Sequence, residues 1–137
     1  MADGAGKFLL GWLLLVLLAV ALPAGWLMLS KPSAPASGRY GAIALSQASL
    51  AYGASWGYPD VPSADQRALK ECGRTDCAVR TNLAGTCGTL VMSAERNQSF
   101  VIADSDRNSA AALALAQCEA QGASDCAVKV NICGTGP

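Results

Sequence analysis

Hydrophobic and polar positions divide this chain into two stretches with different periods. Residues 8–29, FLLGWLLLVLLAVALPAGWLML, are apolar almost throughout and carry no charge. As a helix rising about 1.5 Å per residue they span roughly 33 Å, enough for the hydrocarbon core of a bilayer. Trp12 and Trp26 stand near the two ends of this run, where interfacial tryptophans settle. The pattern predicts a retained transmembrane anchor within residues 1–29. A signal peptide cut near the AVA at 19–21 is the alternative, although signal cores are usually shorter. Within the run, Ala21 and Gly25 form a small-xxx-small pair around Pro23, a candidate surface for a neighbouring membrane helix. Residues 30–39 are rich in Pro, Ser and Ala and read as a linker.

From residue 40 to residue 137 the period shortens. Short β-prone runs occupy 40–46, 50–56, 87–93 and 99–104, each bounded by Gly, Ser or Asn. Ser63 with Gln66 three residues on makes a capping box, and Asn108 or Ser109 can cap a second helix. The two helices carry Ala64, Ala68 and Leu69 in one case and Leu113, Ala114 and Leu115 in the other, and small side chains let a helix lie close on a sheet.

This body is written twice. YGAIALS at 40–46 answers CGTLVMS at 87–93, SADQRALKEC at 63–72 answers SAAALALAQC at 109–118, and DCAVRTN at 76–82 answers DCAVKVN at 125–131. Each half reads strand, strand, helix, strand. The fold class expected is α+β: a duplicated domain with one mostly antiparallel sheet of about six strands and both helices on one side. A single half buries too little surface, and duplication lets each cover the other.

Composition narrows the chemistry. The formal net charge is zero and only 15% of residues are charged, which argues against a nucleic-acid partner. All six cysteines lie beyond residue 71, an even set at repeated spacings that reads as a disulfide framework in an oxidising compartment. Of fifteen possible pairings, equivalence of the halves favours Cys72 with Cys77 and Cys118 with Cys126, each stapling a helix end to the next strand. Cys87 then pairs with Cys133, equivalent positions joined across the repeat. The sequence contains no histidine, so Ser-His-Asp and Cys-His nucleophiles are excluded, and the paired Cys-X-X-Cys knuckles of zinc sites are absent. No enzymatic activity and no cofactor are expected.

Three smaller features have both a functional and a structural reading. Asp104, Asp106 and Asn108 open like a calcium loop, but Ser109 and Leu115 stand where such a loop requires Gly and Glu, so a turn with helix-capping acids is expected. Asp76 and Asp125 precede the strand cysteines in both copies, where turn and capping roles are the commoner use of aspartate. Tyr52, Trp56 and Tyr58 form the aromatic cluster of the body, a candidate protein-binding patch unless they fill the core. Asn97-Gln98-Ser99 fits a glycosylation sequon, which matters only in a eukaryotic secretory setting.

The paired blocks YGAIALS, ALKEC, DCAV and CGTLVMS, ALAQC, DCAV resemble the bacterial family called domain of unknown function 4189, over about residues 40–134. The resemblance implies an exported, duplicated, disulfide-bonded domain and brings no catalytic residues. The second copy has DSDRN where an aromatic GYP stretch would fall, so any site on Tyr52, Trp56 and Tyr58 exists once. Together these readings predict a single-pass protein of the bacterial inner membrane, amino terminus cytoplasmic and body periplasmic. It would serve as a non-catalytic accessory subunit of an integral membrane complex, respiratory or photosynthetic complexes being natural hosts, and would touch lipid through its anchor. The alternative is a secreted protein-binding effector or inhibitor released by signal cleavage.

Overall fold

The computed structural model describes residues 38–137. The expected anchor with Ala21, Pro23 and Gly25, and nearly all of the linker, lie outside the described residues. Among the described residues no helix is long and apolar enough to cross a membrane. Eight elements follow in order: β1 (Tyr40–Leu45), β2 (Tyr52–Tyr58), α1 (Val61–Cys72), β3 (Ala78–Ala84), β4 (Cys87–Ser93), β5 (Gln98–Asp104), α2 (Arg107–Ala120) and β6 (Ala127–Cys133). Each half is therefore strand, strand, helix, strand.

The halves do not merge into one sheet. The expectation of a six-stranded sheet with both helices on one side is corrected to two antiparallel sheets of three strands, in orders β2-β1-β3 and β5-β4-β6. The reason lies in the central strands. Along β1, Ala42 and Ala44 pack against Ala64, Ala68 and Cys72 of α1, while Ile43 and Leu45 point the other way. There they meet Leu83 of their own sheet and Leu90, Met92, Val130 and Ile132 of the second. In β4, Val91 packs against Ala114 and Cys118 of α2. Successive strand residues face opposite sides of a sheet, so each central strand has two apolar faces to bury. One takes its own helix and the other takes the opposite sheet. The layers run α1, first sheet, second sheet, α2, and a single sheet would have left the large aliphatic face in water.

On β1, alanine faces the helix and larger aliphatics face the opposite sheet, and small side chains let a helix lie close. Gly53 in β2 extends this logic, since a Cβ there would collide with the Ala68 carbonyl oxygen and the Cys72 amide. Both helices bury one stripe at every fourth position, Ala64, Ala68 and Cys72 in α1 and Ala110, Ala114 and Cys118 in α2.

The caps differ from the capping box expected at Ser63 and from Asn108 or Ser109. Asp60 caps α1 by accepting the Ser63 N–H at 2.8 Å, and Asp106 caps α2 by accepting the Ser109 N–H at 2.8 Å. α1 starts earlier because Pro62 fits its first turn, where no intrahelical donor is needed. In both copies the serine is a donor at the third position rather than the cap.

Three disulfides are present: Cys72–Cys77, Cys118–Cys126 and Cys87–Cys133. The third does not join the halves. Cys87 opens β4, Cys133 closes β6, and the two stand directly opposite each other within the second sheet. The corresponding pair in the first sheet is Tyr40 opposite Ala84, without a bond. By strand register Cys87 is therefore the equivalent of Tyr40 and Cys133 that of Ala84, so the two cysteines are not equivalents of each other.

Candidate functional site

The groups with the most reactive side chains are committed to architecture. No cysteine is free. Ser46 and Ser93 are fully buried at the ends of β1 and β4. Ser46 Oγ donates to Asp76 Oδ2 at 2.6 Å and accepts the Ser49 N–H at 3.2 Å. Ser93 Oγ repeats the arrangement, donating to Asp125 Oδ1 and accepting the Arg96 N–H at 3.1 Å, while Asp125 Oδ2 accepts the Glu95 N–H at 2.9 Å. Asp76 and Asp125 thus pin each hairpin turn to the loop before the last strand of its half. The Ser93 hydroxyl, then the Glu95 N–H, hold the Asp125 carboxyl below the usual carboxylate range. A serine shut off from solvent in this way has no approach for a substrate.

Asp104 and Asp106 also have structural partners. Asp104 Oδ1 accepts the Asp106 N–H at 3.0 Å, which lowers its pKa, and Asp106 caps α2. Among the described residues no group of three or more His, Cys, Asp or Glu side chains could hold a metal ion.

The aromatic cluster is split by a bulge. Between the pairs Ala42–Ser55 and Tyr40–Tyr58, β2 carries one extra residue, with Gly57 at φ 75°, a conformation glycine adopts without steric cost. Tyr52, before the bulge, and Trp56, its first residue, are 40% and 45% exposed. After it, Tyr58 turns to the alanine cluster under α1 and packs there with Tyr40. Trp56 and Tyr58 still meet at the strand edge, lining an open groove of about 290 Å³ with Ala54, Ser55, Arg67 and Glu71. Arg67 and Glu71 form an ion pair one helical turn apart. Tyr52 lies four residues away along the strand, roughly 13 Å from Trp56, and does not line that groove.

A second surface emerges only when the helices are compared. With the buried stripes superposed, Gln66, Arg67, Lys70 and Glu71 of α1 correspond to Ala112, Leu113, Ala116 and Gln117 of α2. All eight are exposed. One outer face carries three charges and the other none, and Leu113 is 51% exposed, the most of any large hydrophobic side chain among the described residues. The sequence holds the signal, but it becomes legible only after Cys72 and Cys118 are set as equivalent and the helix faces are known.

No curated protein and no solved structure matches the chain. One family does match over residues 40–133, from the first residue of β1 to the last of β6. The chain belongs to that family, whose description is Domain of unknown function (DUF4189).

Proposed function

We propose that this protein is a non-catalytic accessory subunit of a larger bacterial membrane complex, held by a single span over residues 8–29, with the duplicated domain docking on the periplasmic side of an integral partner. The observation that carries the reading is the divergence of the two helix faces. α1 and α2 bury the same small stripe on the same kind of sheet, so the fold itself does not require an uncharged outer face on α2. Ala112, Leu113 and Ala116 are suited to meeting another protein surface, whereas Gln66, Arg67 and Lys70 are suited to water. The closed serines, the paired cysteines and the lack of histidine favour binding over catalysis.

The test gives α2 the dress of α1. In the full chain, Leu113→Arg with Ala116→Lys is expected to change stability by no more than about 0.5 kcal/mol, as exposed substitutions do. It is expected to abolish co-purification of a stoichiometric integral partner in mild detergent. Native-abundance wild-type protein recovered as a monodisperse monomer would overturn the proposal.

Trp56 supports a second reading, a released effector or inhibitor, because an exposed tryptophan beside a groove is a common centre of binding energy. Amino-terminal sequencing separates the two. Met1, or Ala2 after methionine removal, recovered in the membrane fraction excludes release, and a start near Ala21 or Ala24 excludes the anchor.

A further inference from the structure

A three-stranded sheet has two edges, so the described residues present four edge strands: β2, β3, β5 and β6. An edge offers a row of unpaired N–H and C=O groups to any other strand, and proteins blunt it with bulges, prolines or charged side chains. Three of the four edges are blunted. β2 is bulged at Trp56 and Gly57, and the Gly57 N–H turned outward by the bulge is taken by the Gly134 carbonyl at 2.8 Å. β3 skips Arg80 between the pairs Ile43–Thr81 and Ala44–Val79, and β6 skips Lys129 between Leu90–Val130 and Val91–Val128. Those two bulges fall at equivalent places and each carries a basic residue.

β5 has none of these devices. Its seven residues, QSFVIAD, pair with β4 without a break in register, contain no proline and no basic residue, and carry a single charge at the last position. Among the described residues, no backbone group of β5 bonds to anything beyond its β4 ladder and the local turns at its ends. Among the described residues the outward backbone N–H and C=O groups of this edge therefore have no partner within one copy.

We infer that β5 is a pairing edge through which two copies of the chain join their second sheets into one six-stranded antiparallel sheet. The sequence of β5 suits its own reverse. Centred on Val101, antiparallel pairing sets Phe100 opposite Ile102, Ser99 opposite Ala103 and Gln98 opposite Asp104. No like charges meet, and an aromatic side chain meets a β-branched one, a favourable cross-strand pair. Phe100 and Ile102 already pack under α2, so the pairing extends that cluster from one copy into the next. The inference is independent of the membrane partner proposed above.

Native mass spectrometry of the full chain released from mild detergent is the test. The wild type is expected to be a dimer. Ser99→Lys with Ala103→Lys sets lysine opposite lysine twice across the twofold and is expected to weaken dimerisation by roughly tenfold or more. Ser99→Glu with Ala103→Lys sets opposite charges at the same places and is expected to restore it. Hydrogen exchange on the wild type needs no substitution: peptides covering Gln98–Asp104 are expected to gain protection as concentration rises, and those covering β3 are not. A monomeric wild type, a dimer indifferent to the lysine pair, failure of the charge-swapped variant to recover, or exchange in β5 independent of concentration would each overturn the inference.

Discussion

Asp125 shows how much one carboxylate does here. It receives a hydroxyl from Ser93 and an amide from Glu95, and so ties a hairpin turn to a loop some thirty residues downstream. Asp60 and Asp104 are held low in the same manner, chiefly by the Ser63 and Asp106 backbone N–H groups. A carboxyl whose folded-state pKa is depressed adds stability above its unfolded value and loses it as pH falls through the folded one. The melting temperature is therefore expected to hold from pH 7 to about 5 and to fall below roughly pH 4, where ordinary carboxylates protonate. Asp125→Asn should lower it at neutral pH and shrink the acid fall, which thermal melts across pH will show. The sequence marked Asp76 and Asp125 as repeated turn residues, but their serine partners were invisible, lying far away along the chain. The caps lie earlier than the sequence suggests, by three residues from Ser63 and by two or three from Asn108 or Ser109, because a serine followed by Gln or another helix former resembles a cap when a preceding aspartate is the better acceptor.

At the scale of elements, strand and helix order was legible because apolar alternation and punctuation by Gly, Ser and Asn repeat in both halves. Bulges were not legible. Nothing in VRT or VKV announces that Arg80 or Lys129 will be skipped, since a bulge is decided by which residues the partner strand must place inward. Tyr58 was grouped with Trp56 for the same reason: without the bulge at Gly57 it would have shared that face. The disulfides differ in what they constrain. On the chain-entropy account, Cys133→Ser opens a loop of 46 residues and should lower stability by about 4 kcal/mol, against about 2 kcal/mol for the five-residue loop opened by Cys72→Ser. Denaturant melts of the two variants are expected to keep that order, and non-reducing peptide mapping will show whether Cys87 then stays free or pairs between chains.

For the molecule as a whole, duplication is legible in the sequence and its geometry is not. The repeat shows that two units exist, but whether they pair edge to edge or face to face depends on how many faces each central strand must bury. That was written in the alternation of Ala42, Ile43, Ala44 and Leu45, with two apolar classes on opposite sides. The arrangement has a measurable cost for either half alone. Residues 38–85 without the rest would expose Ile43, Leu45 and Leu83, and residues 86–137 would expose Leu90, Met92, Val130 and Ile132. Neither fragment is expected to show a cooperative unfolding transition by circular dichroism. An equimolar mixture of the two should recover one, because the shared core is the missing part.

One hydrogen-bonded closure appears in both halves: the Gly85 N–H meets the Arg39 carbonyl at 3.0 Å, and the Gly134 N–H meets the Thr86 carbonyl at 2.9 Å. A Cβ on Gly134 would collide with the Arg39 carbonyl oxygen, so the domain's last strand ends beside the place where its first strand begins. The two repeats therefore stand like links of a ring cut at an arbitrary point. A chain reordered to start at Thr86, run through Pro137 into Arg39 by a short glycine bridge and finish at Gly85 is expected to keep the pairs among all six strands, both caps and all three cystines. The order of the repeats is a fact of the gene and not of the fold.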